Sequence, residues 1–430
     1  MRNHRDYRIA GKVALTWFGP EPRVVVSDPQ LFREILSNKQ GQFGKHRSIL
    51  RIERLLANGL TTHQGDKWVA HRRIINHAFV GCNKPRLGQC VIRAQRERVI
   101  VEGSAQGARA ERVAGRAERA DRSARVGRCE WVIAQLGPED VACFRGLFKR
   151  IGAEMGKLYG EGMRANAREV EVLLKGVIMK RERAMMDGHA DNDDLLGVMM
   201  ESNIEESHEA ESSKPKMTAA DIVGELKLFY FTGMETTAVL LTWTMVVLRM
   251  HPEWQDRARE EVLHVFGKNQ TDFRGINRLK VVTMMLHEVL RLYPPILLLG
   301  REAYKETELG GVTYPAGVTF ALPIVCIHHD PDVWGEDVDE FKPERFAEGI
   351  AGASKNLLAF FPFGWGPRIC VGQNSALLEA KMGLSVILQR FMFELSPSYT
   401  HSPCPVSTLQ PQHGSQIRLT KLYELAAFTN

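Results

Sequence analysis

The period of hydrophobic and polar positions changes along the chain, and the change predicts the order of its elements. Residues 13–26 place β-branched side chains on both sides of a Gly-Pro turn, which is typical of two short strands. Asp28 and Pro29 then suit the N-cap and first turn of a helix that ends near Ser37. Helical patterns recur further along and predict helices at 62–79, 217–249, 252–266, 276–292 and 371–393. A stretch at 300–323, rich in Gly and β-branched residues, predicts a small sheet.

One helical stretch is apolar enough to raise the question of a membrane span. Leu228 to Leu248 is long enough to cross a bilayer, but it contains Glu235 and several threonines. We therefore predict a buried core helix. Residues 1–12 lack the apolar stretch of a secretory signal peptide.

Composition places the chain among folded globular proteins. Of its 430 residues 44% are hydrophobic and 25% are charged, which excludes disorder throughout. The net charge of +6 suits a basic face for an acidic partner or a membrane surface and does not require nucleic acid. The cysteines are odd in number and form no CxxC pair, which argues for a reducing compartment and against a disulfide scaffold or a cysteine zinc site. They are Cys82, Cys90, Cys129, Cys143, Cys326, Cys370 and Cys404.

A segment at about 81–162 differs from the rest, because it is rich in Ala, Arg and Gly and poor in large apolar residues. Arginines spaced three or four apart between Arg109 and Arg128 would lie along one side of a helix. Three interpretations remain open: a solvated charged segment, a translated intron or shifted reading frame, and a nucleic-acid-binding arm. The last lacks the aromatic residues that stack on bases.

The strongest candidate chemistry lies around Cys370, in the pattern F-x-x-G-x-R-x-C-x-G formed by Phe363, Gly366, Arg368, Cys370 and Gly372. A thiolate that binds haem iron must be shielded from water and supported by backbone donors. The glycines allow close backbone approach through unusual dihedral angles. A helix that starts after Cys370 directs its positive end at the sulfur. Arg368 can meet a haem propionate, and Phe363 can pack near the sulfur.

This segment resembles the haem-binding loop of cytochrome P-450 enzymes, most closely the plant members of the 72 clan. The resemblance runs from about 12 to 79 and from about 163 to 422, and it implies one domain over 12–422 that is interrupted at 81–162. The implied fold is mainly α, a cytochrome P-450 haem-thiolate fold with a minor β region. Against the family pattern, the N-terminal anchor helix, hinge and first core helix are missing, so we expect a truncated chain.

The long helix at 217–249 carries a second motif, from Phe231 to Thr237. Gly233 weakens the helix locally, and Glu235 and Thr236 beside it can relay protons to oxygen so that the O–O bond breaks heterolytically. Threonines of a plain core helix would instead bond back to their own turns. The segment resembles the family's oxygen-side motif, except that Thr232 stands where Ala or Gly is usual.

Charged residues further along resemble a structural network of the family. Glu288 and Arg291 lie three residues apart on one helix face, and Arg345 follows in Phe341-Lys-Pro-Glu-Arg-Phe346. In the family the matching residues form a buried network behind the haem. We interpret all three as structural, not catalytic, since breaking such a network would leave an unpaired charge.

Three more residues resemble contacts to the haem edge. Trp68 and Arg72 form a W-x-x-x-R pattern and lie about one helical turn apart, so both can face one propionate. Arg301 corresponds to a second propionate-binding arginine. The apolar strand at Ile296–Leu299 is expected to line the substrate pocket. No metal site is predicted at the adjacent His328 and His329, whose side chains should point in different directions.

The resemblance implies a monooxygenase that inserts one oxygen atom from O2 into a small hydrophobic substrate of steroid, terpenoid, hormone or fatty-acid type. It implies haem b with an axial cysteine thiolate, electrons from NADPH through NADPH-cytochrome reductase, and no nucleic-acid partner. A full-length form would associate with the cytosolic face of the endoplasmic reticulum membrane. The alternatives are a catalytically inactive remnant that still binds haem and, less favoured, a nucleic-acid-binding protein built on the Arg109–Arg128 stretch.

Overall fold

The computed structural model describes residues 7–10, 12–18, 21–38, 41–45, 59–80, 161–188, 195–208, 217–354, 359–405 and 407–422. They fall into two compact units. The first combines the N-terminal 48 residues with the chain from Val239 onward, and the second is Ile49–Ala238. Most of the Arg-rich segment, including Arg109 to Arg128, lies outside the described residues.

The strands all belong to the first unit. They are β1 (Tyr7–Ala10), β2 (Val13–Phe18), β3 (Glu21–Val26), β4 (Phe43–Gly44), β5 (Leu298–Ala303), β6 (Thr307–Leu309), β7 (Val312–Tyr314), β8 (Thr319–Pro323), β9 (Phe391–Leu395), β10 (Pro403–Pro405), β11 (Leu409–Pro411) and β12 (Ile417–Lys421). A six-stranded sheet has the order β1-β2-β3-β8-β5-β4, in which β3 and β8 run parallel. The predicted strands at 13–26 are confirmed. Part of the predicted small sheet is β5 and β8, which join the N-terminal strands.

The helices dominate both units. They are α1 (Pro29–Ser37), α2 (Gly65–Val80), α3 (Glu161–Met186), α4 (Leu195–His208), α5 (Ala219–Met250), α6 (Pro252–Phe266), α7 (Phe273–Ile276), α8 (Val281–Leu292), α9 (Ile324–His328), α10 (Pro331–Trp334) and α11 (Gln373–Arg390). Short 3-10 turns add Pro343–Phe346, Ile350–Gly352 and Gly366–Arg368. The mainly α architecture with a minor β region agrees with the sequence prediction.

The start of α1 follows the predicted capping chemistry. The Asp28 carboxylate accepts the backbone N–H groups of Gln30 and Leu31, both at 2.9 Å, and Pro29 occupies the first turn. The helix buries Phe32, Ile35 and Leu36 and ends at a left-handed residue, Asn38. It provides one wall of the site described below.

Three helices differ by three or more residues from the bounds that the hydrophobic period predicts, and the first of them, expected at 62–79, begins at Gly65. The helix expected at 276–292 begins at Val281, because Glu261 of α6 accepts the N–H groups of Lys280, Val281 and Val282 and so caps a separate N-terminus. The helix expected at 371–393 ends at Arg390. The alternating residues that follow it form β9, which pairs antiparallel with β12.

Helix α5 passes through both units, and in the described chain it is the one helix long and apolar enough to cross a membrane. Over half of its most apolar window, 56%, is buried inside the protein. In the first unit its Trp243, Val246 and Leu248 are fully buried. These contacts agree with the predicted core helix.

The second unit consists of helices in its described part. Helices α2 and α4 pack together, and Ile75 of α2 and Met199 of α4 are fully buried. Helices α3 and α4 were not among the elements that the hydrophobic pattern predicts. The N-terminal part of α5 adds a buried face that includes Ile222, Val223 and Leu226.

Candidate functional site

The cysteine segment of the first unit, Phe360–Cys370, is folded on itself by backbone hydrogen bonds. The Gly364 N–H donates to the Phe361 carbonyl and the Cys370 N–H donates to the Phe363 carbonyl, both at 2.9 Å. Gly364 and Gly366 have φ of 75° and 72°, a region that side chains other than glycine rarely adopt. The predicted need for glycine is therefore met at these two positions.

Helix α1 fixes the outer side of this segment. A Cβ at Gly366 would lie 2.3 Å from the Leu36 carbonyl oxygen, so only glycine allows this approach. Phe361 stacks on Phe32 with a centroid distance of 4.7 Å, and the Arg33 guanidinium lies over the Trp365 ring. The segment thus rests on a rigid helix instead of forming an independent surface loop.

The Cys370 thiol is exposed at the end of this segment, and it is not in a disulfide. Helix α11 begins at Gln373, three residues later, so its positive end is close in sequence to the sulfur. Gly372 is the N-cap, with an ordinary φ of −90° and its carbonyl accepting the Ala376 N–H at 2.8 Å. The expectation of an unusual dihedral angle at Gly372 was therefore wrong. Phe363, whose carbonyl accepts the Cys370 N–H, is half-buried.

Two arginines form a positive region near the cysteine segment. Arg301 on β5 is buried, and its Nη1 donates to the Gly300 carbonyl at 2.8 Å. Burial, and then repulsion from Arg368, lowers the pKa of Arg301 to about 10. Arg301 forms no ion pair with a carboxylate among the described residues. A buried cation of this kind favours an anionic ligand.

The predicted ion-pair residues meet in a buried network. Arg291 makes a bidentate pair with Glu288, Nε to Oε2 at 2.9 Å and Nη2 to Oε1 at 2.7 Å. Both side chains are fully buried. Arg345 Nε lies 3.4 Å from Glu288 Oε1, and its Nη2 contacts Asp337 Oδ1 at 2.7 Å. Hydrogen bonds from Lys342 and then Arg345 lower the pKa of Asp337 to about 2.

His328 connects this network to the cysteine segment, which the sequence did not indicate. Its Nε2 accepts the Phe361 N–H at 2.9 Å, and its Nδ1 lies 3.2 Å from the Arg291 carbonyl oxygen. The imidazole is therefore neutral with the proton on Nδ1. Burial, and then the charge of Arg291, lowers the pKa of His328 to about 3. His329 points elsewhere, to Asp339 and the Leu292 carbonyl.

The oxygen-side residues of α5 lie in the second unit. The Thr236 hydroxyl donates to the Thr232 carbonyl at 2.7 Å, and the Thr232 hydroxyl donates to the Leu228 carbonyl at 2.9 Å. These are the bonds expected of threonines in a plain helix. The helix continues across Gly233, where an added Cβ would have no described atom within 4 Å. Glu235 is half-buried.

Trp68 and Arg72 lie one turn apart on α2 of the second unit, and both are half-buried. This agrees with the predicted spacing. Their relation to the cysteine segment of the first unit stays a prediction.

Comparison with known proteins decides the family. The family profile described as "Cytochrome P450" matches residues 1–98 and 148–418. The chain belongs to the cytochrome P450 family. The internal stretch that the profile leaves unmatched, 99–147, is shorter than the segment of 81–162 that the sequence set apart.

Plant P450s of the 72A subfamily are similar over nearly the whole chain. Cytochrome P450 CYP72A616 of Paris polyphylla is 49% identical over 96% of this chain and 82% of that protein. The 11-oxo-beta-amyrin 30-oxidase of Glycyrrhiza uralensis is 42% identical over 97% and 82%. Secologanin synthase 2 of Catharanthus roseus is 40% identical over 96% and 81%.

Retinoic acid-bound cyanobacterial CYP120A1 has a similar structure. Its TM-score is 0.78 at 21% identity, with 96% of this chain and 92% of that chain covered. At this level of identity the similarity shows the P450 fold. This protein is accordingly a monooxygenase of the haem-thiolate class, with haem b and an axial cysteine.

The residues present fit a haem. Cys370 offers an exposed thiol on a backbone that Gly366 holds against α1, and Arg301 with Arg368 offers two positive charges for propionates. Both features lie in the first unit and come from residues that the sequence pattern had selected.

Replacing Gly366 by alanine should displace the cysteine segment, because the new Cβ would clash with the Leu36 carbonyl in addition to the strain of a positive φ. We expect a loss of about 2–4 kcal/mol in unfolding free energy and a lower haem content. Gly364→Ala is the matched control, since its φ is similar but its nearest atom is 3.8 Å away. Equal losses in both variants, measured by urea unfolding and haem absorbance, would contradict the role of the clash.

Acidification should destabilise the fold through two buried histidines, His328 and His287. Burial, and then the charge of Lys381, lowers the pKa of His287 to about 4, and the pKa of His328 is about 3. Both folded-state pKa values lie below the unfolded value of about 6.5, so the unfolded chain takes up more protons. Unfolding free energy should therefore fall by about 2 kcal/mol per histidine between pH 7 and pH 5. Urea titrations at both pH values should show a smaller fall in His328→Gln; an unchanged fall would exclude His328.

Proposed function

We propose that this P450 oxidises a hydrophobic small molecule of terpenoid or steroid type, with Cys370 as the iron ligand and electrons derived from NADPH. The main support is the cysteine segment, which packs on α1 and exposes Cys370 near the cationic side chains of Arg301 and Arg368. The printed names of two relatives, a beta-amyrin oxidase and a secologanin synthase, support a terpenoid-like substrate.

The candidate site residues of the first unit have distinct proposed roles. Cys370 presents an anionic sulfur, which the N-terminal end of α11 stabilises. Arg301 and Arg368 bind the propionates, and a carboxylate there would offset the burial that lowers the pKa of Arg301. Phe363 and Gly372 complete the segment as packing residue and helix N-cap. When bound, haem supplies the reductive activation of dioxygen.

Trp68 and Arg72 of α2 are proposed to bind the haem edge, Arg72 through its positive charge and Trp68 as a neutral N–H donor. Glu235 and Thr236 are proposed to move protons. The Thr236 hydroxyl is held on the Thr232 carbonyl, so it keeps its oxygen lone pairs for a water or Glu235 as proton source. When the hydroxyl turns away from that carbonyl, its own proton can pass to oxygen that has accepted electrons and be replaced from that source.

The substrate side of the first unit is proposed to include the residues at 296–299. Leu299 lies against Gly364, with its Cδ1 3.8 Å from the position of a Cβ there. The adjacent Leu298 is an exposed large hydrophobic residue, at 47% exposure. An apolar surface next to the cysteine segment favours a ligand without charge.

The electron donor is proposed to be NADPH-cytochrome reductase, a membrane flavoprotein, and the site of action the cytosolic face of the endoplasmic reticulum. The net charge of +6 suits an acidic reductase surface. The plant relatives support this assignment through their family. A catalytically inactive, haem-binding remnant is the alternative.

Turnover in the presence of NADPH, reductase and ¹⁸O₂ tests the function. We expect a hydroxylated terpenoid product with one labelled oxygen. In Thr236→Ala, product per NADPH should fall on the order of tenfold, with hydrogen peroxide taking up the electrons, because proton delivery is lost. Thr232→Ala is the matched control, since that hydroxyl also bonds back to its helix but has no proposed proton role.

Failure to form product across a broad panel of terpenoids and steroids, in haem-loaded protein, would favour the inactive remnant. An equal loss in Thr232→Ala and Thr236→Ala would contradict a specific role for Thr236.

A further inference from the structure

A compact group of metal-binding side chains lies in the second unit. It is formed by His63, which precedes α2, His71 of α2 and Glu225 of α5, and one ligand atom of each lies within 4.8 Å of the others. Within the described parts of the chain it is the one such group of three or more His, Cys, Asp or Glu residues. We call it the histidine-glutamate cluster.

The cluster is buried, unlike most groups of acidic side chains at protein surfaces. Its exposed fractions are 9% for His63, 2% for His71 and 0% for Glu225. A buried carboxylate is costly unless a cation or strong donors compensate it. In this structure His71 and the Leu60 N–H compensate Glu225, and a bound cation would take the place of the proton between His71 and Glu225.

The donors are held by the fold. His71 Nδ1 lies 2.6 Å from Glu225 Oε1, and the Leu60 N–H donates to Oε2 at 2.9 Å. The ring centroids of His63 and His71 are 4.5 Å apart in an edge-on arrangement. The backbone N–H of His63 donates to the Gly59 carbonyl in a tight turn, which fixes the backbone that carries the His63 imidazole.

This donor set selects a particular class of metal. Two imidazoles and one carboxylate are a set that zinc binds, with a fourth position left for water. Magnesium and calcium prefer oxygen ligands alone. We propose that the histidine-glutamate cluster binds one Zn²⁺ ion, independently of the haem and of the monooxygenase function.

Zinc binding requires small movements. Bonds of about 2.0–2.2 Å in tetrahedral geometry place ligand atoms about 3.3–3.6 Å apart. The His71–Glu225 contact must open by under an ångström, and the wider distances must close by about an ångström. The ion displaces the proton of the His71–Glu225 hydrogen bond, so binding releases protons and weakens as the pH falls. It joins α2, which carries Trp68 and Arg72, to α5.

The test uses the full chain saturated with haem, so that Cys370 does not offer its thiol. After treatment with chelator and dialysis against ZnSO₄, mass spectrometry of the metals should find about one zinc per chain in the parent. His63→Gln should lose it, while keeping the His71–Glu225 pair and so the fold. The control His77→Gln, which replaces an exposed histidine of α2, should retain it.

Two further measurements test whether the metal binds at the histidine-glutamate cluster. Co²⁺ in place of zinc should give visible bands typical of a four-coordinate nitrogen and oxygen site, and zinc should raise the melting temperature of the parent but not of His63→Gln. No zinc retained by the parent, or zinc retained equally by His63→Gln, would overturn the proposal. Zinc that disappears in Cys370→Ala but persists in His63→Gln would do the same, because the thiol would then be the ligand.

Discussion

The buried ion pair of Arg291 with Glu288 stabilises the arrangement of the first unit around it. Arg291 is fully buried, paired twice with Glu288, and donates to the carbonyls of His328, Val338 and Glu340. A single side chain thus holds α8, α9 and the chain that follows α10. Loss of one partner would leave a buried charge without compensation, at a cost of about 3–5 kcal/mol. The network therefore stabilises the unit only while all of its charged members are present.

His328 transmits this support to the site. It bonds on one side to the Arg291 carbonyl and on the other to the N–H of Phe361, the start of the segment that ends at Cys370. Helix α1 holds the same segment from its other side through Phe32 and the Leu36 carbonyl. The thiol is therefore placed by two rigid supports, which suits a ligand whose distance to a metal must not vary.

Local sequence chemistry predicted the parts of this arrangement that depend on neighbours in the chain. Asp28 was recognisable as a helix cap, and the glycines and arginine around Cys370 identified the segment and its ligand class. The role of Gly372 was misjudged, since a helix N-cap needs no unusual dihedral angle. The start of α8 depends on Glu261 and the end of α11 on the pairing of β9 with β12, and no local pattern contains either contact.

Contacts between residues far apart in the chain could not be predicted from a single sequence. His328 meets Phe361 across 33 positions, and His71 meets Glu225 across 154. Neither histidine stands in a spacing that predicts its partner, so the burial that lowers the pKa of His328 could not be foreseen. An unexplained histidine beside a motif, such as those at 63, 71 and 328, is the one signal that the sequence offered.

The proposed chemistry requires that the Cys370 sulfur bind the haem iron. The carbon monoxide difference spectrum of the reduced, haem-loaded protein tests this bond when the parent is compared with Cys370→Ala and with the exposed-cysteine control Cys326→Ala. We expect a Soret band at the thiolate position in the parent and in Cys326→Ala, and its absence in Cys370→Ala. A thiolate band that persists in Cys370→Ala, or parent protein that takes up no hemin, would contradict it.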